Sequence, residues 1–379
     1  MASLRDRLNA YGAQKKVQRP AAVQQKEDCY RVFDKTPRNN YPLPDTVSGA
    51  SLEALLGETF SDIPIDKMLF LDTETTGLSG GVGTLAFLVG LGYFEDGAFV
   101  VEQDLMRDYD EEIFLLNHVR ERLQKAQLLV TFNGHTFDMP LLNSRFLMQR
   151  MHPAPLPPHA DLLRSARSVW RLRLKHCSLS ALEEAVFHQP RKDDLPGALV
   201  PKQFFDYLKC RDFALLEPVL QHNCQDIKTL PHLLHKLLSL YENPLASPHV
   251  QDIFSIGRVM EKRGQKALAR KCYRAADKGT MSRLSRMTLA DSYRREREFA
   301  LAASIYEEMI ADGLGGAFPY IALAKLCEHK LNDPARALQL TKKAILLTNP
   351  YDDAALQAAQ KRALRLMKKL EGRKNNGIL

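Results

Sequence analysis

The sequence predicts a two-part chain: an α/β domain built on a mixed sheet flanked by helices, followed by an all-α domain of helical repeats. Three observations carry that expectation. Between Lys67 and Tyr241, short apolar runs alternate with stretches of helical periodicity, as a sheet covered by helices requires. After "YENPLASPHV" the strand-like runs stop. Three later segments then resemble one another: "FSIGRVMEKRGQKALARKCYRAA", "MTLADSYRREREFALAASIYEEM" and "YIALAKLCEHKLNDPARALQLTKKA".

Residues 1–61 are polar and punctuated by proline, and predict a loose or disordered arm. "KMLFLD" reads as a buried strand. "TLAFLVGLGYF" and "AFVVEQDLM" flank Asp96-Gly97, a hairpin-turn pair, and should run antiparallel. "DEEIFLLNHVRERLQKA" has helical period with acids in its first turn. "QLLVTF" is a further strand, and "FDMPLLNSRFLMQRM" a helix that tolerates Pro140 in its first turn. Helices follow at about 162–169, 179–187, 201–209 and 213–241. The α/β domain is thereby expected over residues 62–243, and the helical domain over residues 250–372 with a basic last helix.

In the helical part, Gly257 matches Ala290, Ala269 matches Ala302, and Tyr273 matches Tyr306, each 33 residues apart. Helix pairs repeating at that interval, with small residues where helices cross, resemble tetratricopeptide repeats. An ordinary helical bundle with chance alanines is the alternative.

The 379 residues carry a formal charge of +8, which permits a polyanionic partner. Six scattered cysteines form no Cys-x-x-Cys pair, so a disulfide framework or zinc site is not expected, and a reducing cytoplasm is. The first residues lack the apolar core of a signal peptide, and no apolar run is long enough to span a membrane.

Three segments carry candidate chemistry. In "LFLDTETTGL", Asp72 and Glu74 lie two apart, and strand alternation puts both on one face. Two adjacent carboxylates raise each other's pKa unless a cation neutralises them, and Mg²⁺ or Mn²⁺ prefers such hard oxygen ligands. Alone, the pair equally marks a strand's exit into solvent. In "LVTFNGHTFDMPLL", Asp138 opens a helix, where an acid also serves the N-terminal turn. In "VLQHNCQDIKTLPHLL", His222 and Asp226 stand four apart, on one helical face, as an intrahelical pair would.

"FLDTETTGL", "NGHTFD" and "HNCQD" resemble, in that order, the three exonuclease motifs of the DEDD (DnaQ-like) superfamily, which has a ribonuclease-H-like fold. "LSGGVGTLAFLVGLG", "HADLLRSARSVWR", "CSLSALEEAV" and "DLPGALVPKQFFDYL" extend the agreement to the YprB-like branch, where such a domain precedes tetratricopeptide repeats. The resemblance covers about Lys67 to Tyr241, and the repeats more loosely. It implies that Asp72, Glu74, Asp138 and Asp226 bind two Mg²⁺ or Mn²⁺ ions. It implies hydrolysis of DNA or RNA phosphodiesters, as a 3′→5′ exonuclease. His222 would be the general base or would orient the attacking water. One feature departs from the pattern: histidine here occupies a three-residue gap before Asp226, where relatives usually carry tyrosine. Two rival functions are a scaffold that has lost catalysis and acts through its repeats, and a structure-selective endonuclease on the same fold.

"DLLRSARSVWRLRLKHC" sets Arg164, Arg167 and Arg171 on one helical face. They could contact phosphates with Trp170 stacked on a base, or form a solvated face with Trp170 in the core. Asp161 reads as an N-cap. Partners are therefore expected to be a nucleic acid and, through the repeats, a protein, with no membrane.

Overall fold

The computed structural model describes residues 28–77, 83–192 and 194–375. Gly80 and Gly81 of "LSGGVGTLAFLVGLG", and residues 1–27 of the expected arm, fall outside these. The described chain forms a six-stranded mixed sheet flanked by helices, then a run of helices to the C-terminal end. This is the expected fold class.

The central strand β4 (Met68–Thr75) pairs antiparallel with β5 (Ala86–Glu95), which pairs antiparallel with β6 (Ala98–Leu105). On its other side β4 runs parallel to β7 (Leu128–Thr131), and β7 parallel to β8 (His159–Asp161). The β5–β6 hairpin closes at Asp96 and Gly97, both with positive φ (50° and 74°), as a two-residue primed turn requires.

The expectation of a loose arm is corrected for residues 28–61. Tyr30–Pro37 is a strand, β1, paired antiparallel along its whole length with β6 at the sheet edge. Two of its charged side chains find partners: Arg31 pairs with Glu102 and Asp104, and Asp34 with Lys228. β2 (Thr46–Val47), α1 (Gly49–Leu56) and β3 (Ile63–Pro64) follow, with Leu52 and Leu55 fully buried.

The sheet has a core on each face. One is closed by α2 (Glu112–Lys125), α3 (Asp138–Met148) and α6 (Val200–Cys210), packed on Leu69, Leu71, Phe87 and Val89. On the other face, Phe70, Phe94, Phe99 and Val101 meet α4 (Leu162–Trp170), α5 (Leu179–Phe187) and the 26-residue α7 (Glu217–Glu242). Strand alternation sorts β4 between the two cores: Leu69 and Leu71 go one way, Met68 and Phe70 the other.

α8 (Val250–Lys262), α9 (Lys266–Ala275), α10 (Ser282–Arg295), α11 (Phe299–Ala311), α12 (Ala317–His329), α13 (Pro334–Leu347) and α14 (Asp353–Asn375) pack each on the next. Small residues sit where they meet. A Cβ on Gly257 would come within 2.7 Å of the Cys272 Cβ, and Ala269, Ala290, Ala302 and Ala337 are fully buried. α8 also packs against α4, and Arg173 grips Asp252 with two hydrogen bonds of 2.9 Å. Among the described residues, no helix is long and apolar enough to cross a membrane.

Candidate active site

The candidate site forms where β4 outruns its parallel neighbour β7. Asp72 and Glu74 both lie within the strand, so alternation turns both toward α7. Asp72 stands opposite Gly90 in the β4–β5 register. A Cβ on Gly90 would fall 2.3 Å from the Asn223 Oδ1 and 2.8 Å from the Ile227 Cγ1. The bare glycine lets α7 lie directly on the sheet. Asn223, fully buried, then donates its amide to Asp72 Oδ2 at 3.0 Å, while its own oxygen accepts from Gln103 at 2.9 Å.

Asp138 arrives from the opposite face as the first residue of α3 and is 4% exposed. Thr73, between the two acids and facing away from them, donates its hydroxyl to Asp138 Oδ1 at 2.5 Å. Asp226 and His222 stand one turn apart on α7. The His222 Nε2 lies 3.7 Å from Asp226 Oδ2 and 3.9 Å from Glu74 Oε1, and its Nδ1 lies 2.7 Å from Asp194 Oδ1.

The electrostatics show that these carboxylates share one space. Asp72 is held well above the carboxylate range, first by burial and then by Asp226, Asp138 and Glu74. Burial, followed by Asp226, Asp138 and Asp194, pushes Glu74 up to about 8, with Arg191 opposing. Asp138 rises to about 6, chiefly through burial, against the stabilising Thr73 hydroxyl. Burial also raises Asp226, despite the nearby charges of Arg191 and His222.

Arg191, in the loop between α5 and α6, pairs with Asp226 and Glu183 and lies 3.2 Å from Asp194. Asp194 is accordingly lowered: burial opposes, but His222 and Arg191 outweigh it. One guanidinium thus serves the outer rim, while Asp72, Glu74 and Asp138 keep their mutual repulsion. A donor set of hard carboxylate oxygens in excess of its resident cations fits Mg²⁺ or Mn²⁺. Among the described residues, the three donors that lie within 4.8 Å of one another are Asp28, Cys29 and His118, beside the edge strand. The four acids are spaced more widely, as repulsion between them favours.

Asp72, Glu74, Asp138, His222 and Asp226 are therefore brought together. Arg164, Arg167 and Arg171 form an exposed stripe along α4. Trp170 does not join them: it is 1% exposed and packs in the core, which corrects its reading as a stacking platform. Asp161 caps α4 through the Leu163 amide and also accepts from the Asn133 and His135 amides, fixing the turn before Asp138. The sequence reading missed Asn223, Thr73, Asp194 and Arg191. Asn223 had a signal, since it shares the apolar face of α7 with Ile227 and Leu230, where a buried amide needs a polar partner. Asp194 opens the stretch "DLPGALVPKQFFDYL", yet nothing local ties it or Arg191 to the site, because their loop meets α7 only in the folded chain.

Comparison with known proteins agrees with this architecture. Residues 69–238 match the family model described as RNase_H superfamily. Over 290 residues the chain is 29% identical to the uncharacterized protein YprB of Bacillus subtilis (strain 168), covering 74% of this chain and 69% of that protein. A family B DNA polymerase from the archaeon Pyrobaculum calidifontis superposes with a TM-score of 0.38 at 13% identity, over 55% of this chain and 30% of the polymerase, a likeness too loose to support an argument. The superfamily points to nuclease activity on a nucleic-acid substrate, and residues 69–238 are similar to domains of the RNase H superfamily.

Proposed function

We propose that this chain is a divalent-metal-dependent nuclease of the DEDD type, removing nucleotides from the 3′ end of a DNA or RNA strand. The observation that carries the reading is the convergence of Asp72, Glu74, Asp138 and Asp226, from three separate segments, with His222 beside two of them. In this reading the four carboxylates hold two Mg²⁺ or Mn²⁺ ions. Such ions, when bound, make water more acidic and neutralise charge developing on the phosphodiester.

The chain's own residues supply the rest. Asp194 accepts the Nδ1 proton of His222, which leaves Nε2 as the unprotonated, accepting nitrogen on the side of Glu74 and Asp226. His222 is then the general base that takes a proton from the attacking water at Nε2, and Asp194 is its positioning residue. Asn223 and Thr73 hold Asp72 and Asp138 in place against repulsion. Within the same proposal, residues 62–243 are the nuclease domain of a cytoplasmic protein. β1 at the sheet edge extends that domain toward the N-terminus. Residues 250–372 are tetratricopeptide-like repeats, a further surface for a protein partner. The repeat spacing and the buried small residues between helices support that assignment.

The test is degradation of end-labelled single- and double-stranded DNA and RNA with Mg²⁺, Mn²⁺ or EDTA, by wild type and by Asp72→Asn. Metal-dependent release of mononucleotides, absent from the variant, is expected. A circular strand separates an exonuclease, which leaves it intact, from an endonuclease. Equal cleavage by the variant, or cleavage in EDTA, would overturn the assignment.

A further inference from the structure

A groove of about 1060 Å³ runs between the nuclease domain and the first helix of the repeats. One wall is α4, with Arg164, Arg167 and Arg171. The facing wall is α8, with Arg258 and Lys262. All five are exposed, and among the described residues none has a carboxylate within ion-pair distance. The acids on the lining are Glu58 and Asp161, and Asp161 is already engaged by three backbone amides. One end of the groove reaches Asn133, His135 and Thr136, the turn that leads into Asp138.

The two walls are fixed to each other. Arg173, just beyond α4, binds Asp252 on α8 through two hydrogen bonds, and the Asp252 side chain is 3% exposed. Arg263, one residue past α8, donates to the Ala54 and Leu55 carbonyls at the end of α1. The nuclease domain and α8 also share one continuous apolar core. The groove is therefore a built feature of the fold and not a gap between mobile parts.

Five cations with no carboxylate partner among the described residues, set on the two walls of a groove, fit a chain of phosphates. On α4 the arginines at i, i+3 and i+7 span about 10 Å, and the α8 pair about 6 Å. Such spans match consecutive phosphates of an extended strand. We propose that this groove is a composite binding site for the backbone of a single nucleic-acid strand, with the helical region supplying one wall of the substrate site. The inference rests on the nuclease reading for its substrate class. It adds that Arg258 and Lys262, outside the nuclease domain, bind the strand.

The test is fluorescence anisotropy of labelled oligothymidylate and oligouridylate strands with the full-length chain in EDTA, across a salt series. Each neutralised phosphate of a single strand contributes about 0.7 to the slope of log affinity against log salt. The double substitution Arg258→Gln, Lys262→Gln should lower the slope by about 1.4. It should weaken binding roughly 25-fold at about 0.1 M salt. Lys271→Gln, Lys278→Gln removes the same charge from exposed positions that do not line the groove, and should bind nearly as wild type. Equal affinity of the two double variants, or no strand binding by wild type, would overturn the proposal. Metal-dependent cleavage by wild type is scored separately. Cleavage with no effect at the groove refutes only the groove. Groove-dependent binding without cleavage refutes only the nuclease.

Discussion

Glu74→Gln removes one charge from the acid cluster while keeping its shape, and should stabilise the metal-free protein at alkaline pH. Glu74 titrates near 8 in the folded chain, against an ordinary value of 4.5. The sign follows from linkage. A group whose folded pKa is raised contributes stability that is complete below the unfolded value and is lost as pH rises through the folded one. Metal-free wild type should therefore weaken steadily from about pH 4.5 to about pH 8. Each proton so linked is worth about 1.4 kcal/mol per pH unit, or about 5 kcal/mol over the whole interval. Asp72, Asp138 and Asp226 share the repulsion, so a single substitution should recover about half of it, roughly 2–3 kcal/mol at pH 8. The assay is urea denaturation followed by circular dichroism, in EDTA, between pH 5 and pH 8.5. The midpoints of wild type and variant should coincide at the acid end and diverge at the alkaline end. Mg²⁺ should then raise the wild-type midpoint at pH 8 more than the variant's, because a ligand stabilises the state that binds it. A wild-type midpoint that does not fall with pH, or a variant no more stable at pH 8, would show that the acids do not share a desolvated site.

Three other outcomes can be checked directly. His222→Ala should lower single-turnover cleavage by roughly 10²–10⁴, and His222→Tyr should recover part of the loss. Gly90→Ala should cost about 1–3 kcal/mol in chemical denaturation, because the new methyl group meets Asn223 and Ile227 and must push α7 off the sheet. Asp252→Ala leaves Arg173 without its partner at the α4–α8 contact, and should cost about 3–5 kcal/mol in the same assay.

The sheet was legible where local chemistry and the tertiary fold agree. Asp96-Gly97 specified a hairpin because both residues must take positive φ, and the structure has them there. The apolar run at β4 read as a buried strand because both of its faces are covered. β1 was invisible for the converse reason. "YRVFDKTP" is an edge strand held by its backbone ladder to β6, and its side chains are largely charged or exposed. Nothing in its composition distinguishes it from a solvated tail, since Glu102 and Asp104, which neutralise Arg31, lie some seventy residues further on. Of the two readings open for Trp170, the core one holds. Its basic neighbours suggested a surface role, yet it stands four residues after Ala166 and seven after Leu163, on the apolar stripe of α4.

The acids of the candidate site were legible one by one because each follows an apolar segment able to anchor it. What holds them together was not. Repulsion among Asp72, Glu74, Asp138 and Asp226 should drive their side chains apart, and a cluster of such charges persists only when its surroundings constrain it. Here the constraint comes from neutral groups. Gly90 admits Asn223 against the sheet, Gln103 orients the Asn223 amide, and that amide holds Asp72, while Thr73 holds Asp138 from the other face. Donors without charge can fix the positions of carboxylates while leaving their negative potential almost undiminished. An arginine at the same places would have held them equally well and cancelled the field that recruits a cation. Among the described residues the arginine that meets the acids, Arg191, pairs with Asp226 and is shared with Glu183 and Asp194. The carboxyl groups of Asp72, Glu74 and Asp138 are therefore held together with no basic side chain between them among the described residues, and the residues that make this possible are uncharged ones whose role emerges only when strand, helix and turn are folded together.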